Sequence, residues 1–287
     1  MQTTTTRPDA TQVRAQMHAM WQGVAPAWGE HADYVDRRAA DLSRHLLDEV
    51  ELRPGDRVLE LACGAGGLGL AAAERMAGDG EVTLSDVAPG MAETAERRAR
   101  ERGLTNVRSR VLDIEAIDEA DGSYDVVLCR DGLQFAADPA QGVREMARVL
   151  RPGGRVGLAT WASPQQNPWL STLMGAFAAE TGRQVPRPGM PGPFALDDPE
   201  RLAAMLHDAG LTASVTERPV AMRVGSFDEW WERTTALAGP VRGLLAKLPD
   251  ETVASVRVRA EQAVQRYATA DGFELPGVAL VAVGRRG

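Results

Sequence analysis

The sequence predicts an α/β fold with a doubly wound, mostly parallel sheet of seven strands, and three observations support this prediction. Short runs rich in valine and leucine alternate with helical stretches between Arg57 and Trp161. A glycine-rich stretch at 64–69 follows the first of these runs, and acidic residues follow several of them. Such alternation is typical of parallel strands joined by right-handed crossovers, with helices on both faces of the sheet.

Five apolar runs are short, and they are rich in valine and leucine, as strands buried on both faces should be. The predicted strands are 57–61, 81–85, 107–112, 124–129 and 154–161. Helices are predicted between them at 67–77, 90–102 and 139–150. The last helix is well marked, because Asp138 can cap it, Pro139 occupies its first position and Pro152-Gly153-Gly154 ends it.

Helical stretches flank this core on both sides. Before it, helices are predicted at 11–20 and 28–50, the second with an apolar stripe at helical spacing. After a proline-rich stretch, the predicted elements are helices at 169–181, 199–209, 227–237 and 251–267 and strands at 213–224 and 277–283. We therefore predict a disordered tail at 1–10 and a single domain at 11–287. Its core, 51–161, would bind a cofactor, and 11–50 with 162–270 would form a lid and an acceptor pocket.

Composition excludes several classes of protein. Of the 287 residues, 44% are hydrophobic and 25% are charged, which is ordinary for a globular protein. The formal net charge of -8 would repel the phosphates of a nucleic acid. The N-terminus lacks the apolar core of a signal peptide, and no apolar run is long enough to span a bilayer. Cys63 and Cys129 are too few for a metal cluster. We expect a cytoplasmic protein without metal, membrane or nucleic-acid partners, and the sequence leaves room for a homodimer.

Charged residues follow four of the predicted strands. In an open parallel sheet, ligands bind beyond the carboxyl ends of the strands, where the strand order reverses. Glu60, Asp86 and Asp113 stand at the first three ends, and Arg130 stands with Asp131 at the fourth. Acids in these positions suit a ligand that carries hydroxyl and amino groups.

The glycine loop by itself leaves the cofactor open. Residues 64–69 fit the pattern G-x-G-x-x-G, and Asp86 lies about twenty residues further on, as dinucleotide binding requires. The helix that begins at Gly67 offers free N–H groups, which hold a pyrophosphate or an amino-acid carboxylate equally well. Taken alone, the loop would permit NAD.

Three further features resemble class I S-adenosylmethionine-dependent methyltransferases. Glu60 opens Glu-Leu-Ala-Cys-Gly-Ala-Gly, which resembles the first motif of that family, and Asp113 follows the third strand in Val-Leu-Asp-Ile. The run 148–154 resembles the family's turn into its fifth strand. The segment 21–28 is similar to the menaquinone/ubiquinone C-methyltransferase-like group of small-molecule enzymes. The resemblance extends from about Trp21 to the C-terminus and implies a Rossmann-like fold.

The resemblance also implies S-adenosyl-L-methionine as the cofactor and a set of residues that bind it. Gly64 and Gly66 would line the methionine moiety, Asp86 would hold both ribose hydroxyls, and Asp113 would accept from the adenine amino group. The full set is Glu60, Ala62, Gly64, Gly66, Asp86, Val87, Met91, Asp113, Ile114 and Arg130. Ala62 stands where the family usually has a glycine, and alanine is tolerated there if its backbone keeps ordinary dihedral angles.

Methyl transfer is an in-line displacement, for which the protein mainly aligns the acceptor and excludes water. A general base is needed only if the acceptor must lose a proton, and His31 is the best candidate, although a surface or capping role is the more common one for such a histidine. The expected substrate pocket consists of Trp28, Tyr34, Gln134, Trp161 and Trp231.

Aromatic walls suit a small aromatic or polyketide-like acceptor of secondary metabolism, methylated at carbon or oxygen. Two alternatives remain open at this point. One is a protein that binds the same cofactor but catalyses a non-methylating reaction, such as a cyclisation. The other is an NAD-dependent oxidoreductase.

Overall fold

The computed structural model describes residues 9–187 and 189–287. Residues 1–8, which make up most of the predicted disordered tail, lie outside the described residues. The first helix begins at Ala10, inside the range predicted as tail. It begins there because the Asp9 side chain accepts a hydrogen bond from the Thr11 N–H and so caps the helix.

Ten α-helices and ten strands make up the described part of the chain. The helices are α1 (Ala10–Glu30), α2 (Ala32–Glu49), α3 (Gly67–Met76), α4 (Pro89–Glu101), α5 (Pro139–Val149), α6 (Pro168–Thr181), α7 (Pro199–Asp208), α8 (Phe227–Leu237), α9 (Gly239–Leu245) and α10 (Asp250–Val264). The strands are β1 (Arg57–Glu60), β2 (Glu81–Asp86), β3 (Val107–Val111), β4 (Tyr124–Arg130), β5 (Leu150–Trp161), β6 (Leu211–Pro219), β7 (Met222–Val224), β8 (Ala268–Thr269), β9 (Gly272–Leu275) and β10 (Val278–Arg286).

The main sheet has seven strands in the order β3-β2-β1-β4-β5-β10-β6. The first five pair in parallel, and β10 runs antiparallel to both of its neighbours. The mostly parallel, doubly wound sheet that the sequence predicts is therefore confirmed. Val58 of β1 pairs with Val82 on one side and Val126 on the other, so the strand order reverses between β1 and β4.

Each face of this sheet has its own apolar core. On one face, α2, α3 and α4 contribute fully buried residues such as Leu46, Leu68 and Ala95. On the other face, α5 and α7 contribute residues such as Met146 and Leu206. Burial on both faces explains why the central strands read as continuous apolar runs instead of alternating ones.

The N-terminal helix is longer than predicted. The sequence predicts a gap between residues 20 and 28, but α1 continues through this stretch with Pro26 inside it. The chain instead breaks at His31, which lies between α1 and α2. A proline within a helix costs one hydrogen bond, and the burial of Val24, Ala25 and Ala27 around it offsets that loss.

The second half of the chain forms a smaller cluster that the sequence only partly predicts. The strand predicted at 213–224 is two strands, because β6 ends at Pro219 and β7 joins a separate sheet of order β7-β9-β8. This sheet and α9 are too short to show a clear periodicity in the sequence. Helices α6, α8 and α10 pack with β9 around buried Phe177 and Trp230. Across the described ranges, no helix is both long and apolar enough to cross a membrane.

Candidate cofactor and acceptor site

One large cavity lies at the carboxyl ends of β1, β2, β3 and β4, where the strand order reverses. Its walls include nine of the ten cofactor residues implied by the resemblance. The exception is Gly66, which caps α3 with a φ of 87° and faces away from the cavity, so that a Cβ there would lie 3.0 Å from the Cβ of Ala95. Helices α1, α2, α6, α8 and α9 close the cavity from above.

Asp86 joins the ends of the first two strands. Its Oδ2 accepts a hydrogen bond of 2.9 Å from the Gly64 N–H, and its Oδ1 accepts one of 2.9 Å from the Ala88 N–H. Burial raises the pKa of Asp86 to about 6, although these backbone hydrogen bonds oppose the rise. Each carboxylate oxygen keeps a free lone pair, so the side chain can still accept from two hydroxyl groups.

Glu60 is buried at the end of β1, and its side chain binds the backbone of α3. Its Oε2 accepts a hydrogen bond of 2.8 Å from the Gly69 N–H in the first turn of α3. Burial raises the pKa of Glu60 to about 8, while the positive charge of Arg130 acts to lower it. Arg130 lines the cavity and donates to the Ser43 hydroxyl at 2.5 Å, so it ties the end of β4 to α2.

Asp113 lies beneath the N-terminal helix. Arg14 Nε and His18 Nε2 of α1 each lie 3.5 Å from Asp113 Oδ2. Arg14 also donates to buried Glu115 at 2.7 Å. The carboxylate implied for the adenine amino group is therefore covered by two cationic or polar side chains of the lid.

Ala62 does not keep the ordinary dihedral angles under which alanine would be tolerated without strain. Its φ is 52°, in the left-handed region that favours glycine. Gly132, in the loop after β4, approaches so closely that a Cβ on it would overlap with the Ala62 methyl group. The missing side chain at Gly132 makes room for the one at Ala62.

Aromatic and cationic side chains line another part of the cavity. Trp28, Tyr34 and Trp161 of the expected pocket are among its walls, and Trp169 packs edge-on against Trp161 with ring centroids 4.9 Å apart. The Arg38 guanidinium lies 3.8 Å from the ring centroid of Trp169. Sequence reasoning missed Arg38, whose only signal is a charged residue beside the apolar stripe of α2.

Besides Gly66, three expected site residues do not line the cavity. Gln134 is buried, with 1% of its surface exposed, in the short helical turn after β4. Trp231 packs against Phe227 on α8, with Arg257 over its ring. His31 lies at the junction of α1 and α2. It is not among the residues that line the cavity.

Asp131 lines the cavity, whereas His31, the base candidate from the sequence, does not. Asp131 follows β4 with a φ of 60°. Its Oδ1 is enclosed and has no hydrogen-bond partner among the described residues. Burial raises the pKa of Asp131 to about 6, against the opposing charges of Arg130 and Arg38. The adjacent glycine, Gly132, is the sequence signal of this tight turn.

The residues present fit an adenosyl sulfonium ligand. Gly64, with a φ of 54°, places no side chain against the Trp28 ring, and a Cβ there would lie 3.5 Å from that ring. Asp86 and Asp113 offer carboxylates for ribose and adenine, and Val87, Met91 and Ile114 offer apolar walls. The strand order with one antiparallel strand, together with acids at three strand ends over one cavity, is the Rossmann-like arrangement that the resemblance to class I methyltransferases implies.

Comparison with known proteins agrees with this class. The model of a family described as a methyltransferase domain matches residues 58–154, which span β1 to the start of β5. Residues 58–154 thus match a methyltransferase domain, which is consistent with the resemblance to class I S-adenosylmethionine-dependent methyltransferases.

The curated relatives include enzymes that methylate small molecules. The chain spans about half the length of the first relatives it matches. One of these is an uncharacterised Mycobacterium tuberculosis protein, which is 33% identical over 55% of this chain and 54% of that protein. Aklanonic acid methyltransferase DauC from a Streptomyces species is 29% identical over 77% of this chain and 90% of that enzyme. The ubiquinone/menaquinone C-methyltransferase UbiE of Idiomarina loihiensis is 34% identical over 42% and 49%. Among solved structures, the [4+2]-cyclase SpnF has the same fold, with a TM-score of 0.58, 19% identity and coverage of 92% and 96%.

Proposed function

We propose that this protein transfers a methyl group from S-adenosylmethionine to a carbon or oxygen atom of a small, flat aromatic or polyketide-like metabolite. The observation that carries the proposal is the continuity of one cavity. The strand ends with Asp86 and Asp113 form one part of it, and the aromatic walls with Trp161 and Trp169 form another. The names of DauC and UbiE, which describe methyltransferases of an organic acid and of quinone biosynthesis, support the same class of acceptor.

The cofactor-binding residues would act by position. Asp86 would hold the ribose hydroxyls from the end of β2, Asp113 the adenine amino group, and the Gly64 backbone would lie against the methionine moiety. Arg130, at the end of β4, would lie near the methionine carboxylate. S-adenosylmethionine, when bound, supplies a methyl carbon that is already activated by a positive sulfur. The remaining task of the chain is to align the acceptor and to exclude water.

Asp131 is the general base that the geometry supports, in place of His31. It lines the same cavity, its Oδ1 has no partner in the described part of the chain, and its pKa of about 6 leaves it ionised at neutral pH. A base with a pKa just below the working pH is well matched to accept a proton from an acceptor hydroxyl or an activated carbon. The acceptor would gain the methyl group, and Asp131 would take the proton that leaves.

The test is a mass measurement. The purified protein is incubated with S-adenosylmethionine and a panel of hydroxylated naphthoquinones and anthraquinones, and the products are analysed by mass spectrometry. We expect one methyl group to be added to at least one acceptor, and Asp86→Ala should need a higher concentration of S-adenosylmethionine to reach the same yield. Conversion of a panel compound without a gain in mass would instead support the non-methylating alternative. Binding of NADH without binding of S-adenosylhomocysteine would contradict both.

A further inference from the structure

Arg38 is a cation in the part of the cavity with aromatic walls, and its binding edge has no partner. Its Nε and Nη2 atoms are enclosed and donate no hydrogen bond to any described residue. No carboxylate of the described ranges lies within the 4.0 Å that defines an ion pair with it. These two nitrogens form the side of a guanidinium that binds a carboxylate with two parallel hydrogen bonds.

An enclosed guanidinium without an acceptor is costly, because it has lost water without gaining a partner. Burial accordingly lowers the pKa of Arg38, although the charge of Asp131 and the Tyr34 hydroxyl oppose this. The faces of the guanidinium are accounted for, since it lies over the rings of Trp169 and Trp161 at 3.8 and 5.4 Å. Its edge is not.

Other buried polar atoms without partners gather in the same cavity. They are the Tyr34 hydroxyl, Asp131 Oδ1 and the Thr234 hydroxyl, which come from α2, the end of β4 and α8. Native proteins satisfy most buried polar atoms, so a cluster that lines one cavity indicates a polar ligand. Arg233 of the same cavity wall is already paired with Glu229 at 2.5 Å, and Arg130 already donates to the Ser43 hydroxyl. Arg38 is therefore the cation available to that ligand.

We infer that Arg38 binds a carboxylate carried by a flat aromatic acceptor, and so selects acidic acceptors over neutral ones. The rings of Trp161 and Trp169 provide the apolar surface beside it for the flat part of the molecule. The Tyr34 and Thr234 hydroxyls offer further donors. This inference rests on the proposed function, since it names the substrate class of the same cavity.

The probes are three acid and amide pairs, namely benzoate, 2-naphthoate and anthraquinone-2-carboxylate with their carboxamides. Calorimetry measures their binding in the presence of saturating S-adenosylhomocysteine, whose own binding is measured first. We expect the wild-type protein to bind at least one acid about tenfold more tightly than its amide. Arg38→Gln should abolish this preference, and Arg38→Lys should keep part of it. Arg37→Gln, which removes an exposed arginine one position earlier on α2, should leave the preference unchanged.

The outcomes separate the two proposals. Failure of S-adenosylhomocysteine to bind would contradict the proposed function. Normal cofactor binding without preference for any acid over its amide would overturn only the role of Arg38. Retention of the preference in Arg38→Gln would also overturn it, provided that this variant binds S-adenosylhomocysteine normally. If Arg38→Gln fails to fold, an Arg38→Lys variant with the full wild-type preference for acids would count against a bidentate site.

Discussion

The carboxylate of Asp86 accepts a hydrogen bond of 2.9 Å from the backbone N–H of Gly64, and so links the end of β2 to the glycine loop after β1. The two residues lie 22 positions apart in the chain. Parallel pairing of β1 with β2 brings them together at the same edge of the sheet. The acid that would bind the ribose thus also holds the loop that would lie against the methionine moiety.

Replacing Asp86 should therefore weaken cofactor binding directly. We expect Asp86→Ala to lower the affinity for S-adenosylhomocysteine at least tenfold, about 1.4 kcal/mol, through loss of charge-assisted hydrogen bonds to the ribose. Calorimetry is the measurement. Asp86→Asn keeps one acceptor oxygen for Gly64 and tests whether the charge itself matters. Asp118→Ala, at an acid whose side chain is 93% exposed, is the control. Unchanged affinity in both Asp86 variants would refute the ribose assignment.

The buried carboxyl of Glu60 predicts a specific dependence of stability on pH. Because burial raises its pKa from 4.5 to about 8, its proton stabilises the folded state fully below pH 4.5. That contribution is lost as the pH rises through about 8. Glu60→Gln keeps an acceptor for the Gly69 N–H but cannot ionise. Urea unfolding between pH 5 and 9 should show the wild type losing a few kcal/mol relative to Glu60→Gln.

The matched control is the exposed Glu232→Gln, whose stability should run parallel to that of the wild type across this range. Titration of all other groups cancels in these differences. If the free energy of unfolding of Glu60→Gln also ran parallel to that of the wild type, the Glu60 side chain of the wild type would be ionised in the folded protein near neutral pH.

Asp131 predicts a catalytic pH profile. With an acceptor found in the mass screen, Asp131→Asn should lower kcat about a hundredfold, since asparagine cannot take a proton. Asparagine tolerates the positive φ of this position, so the fold should be kept. In the wild type, kcat should rise with pH through about 6, as Asp131 ionises, and this limb should be absent from the variant. His31→Ala should retain the wild-type rate. If kcat fell in His31→Ala but not in Asp131→Asn, His31 and not Asp131 would be the base.

The close approach of Gly132 to Ala62 predicts a rescue experiment. Gly132→Ala should destabilise the protein by about 1–3 kcal/mol, because the new methyl group overlaps with that of Ala62 and lies 2.9 Å from Cys129 Sγ. Ala62→Gly should restore part of this loss, since it removes the overlap and suits the left-handed backbone. Thermal unfolding measures both variants.

Gly175→Ala is the contrasting case. Gly175 lies inside α6, and a Cβ there would have no atom within 4 Å, so the change should stabilise the protein by about 0.5–1 kcal/mol. If Gly132→Ala were equally well tolerated, the packing of the two loops would have to be looser than the distances indicate.

Much of the sheet could be predicted because its signals are local. The strands 57–61 and 124–129 read as buried apolar runs, and the well-capped helix after Asp138 begins where its cap and proline indicate. The second sheet could not be predicted, because β7, β8 and β9 have two to four residues each and are defined only by their pairing. The continuation of α1 through Pro26 depends likewise on tertiary packing.

The same division holds for the candidate site. Sequence alone determined the doubly wound sheet and the acids at its strand ends, because burial on two faces and the reversal of strand order leave a periodic pattern in the chain. Only the tertiary structure decided that Asp131 lines the cavity while His31 lies at a helix junction, and that Arg38 lies unpaired beside Trp169. Those relationships join residues that are distant in sequence, and their energies depend on burial and on missing partners, which no local pattern records.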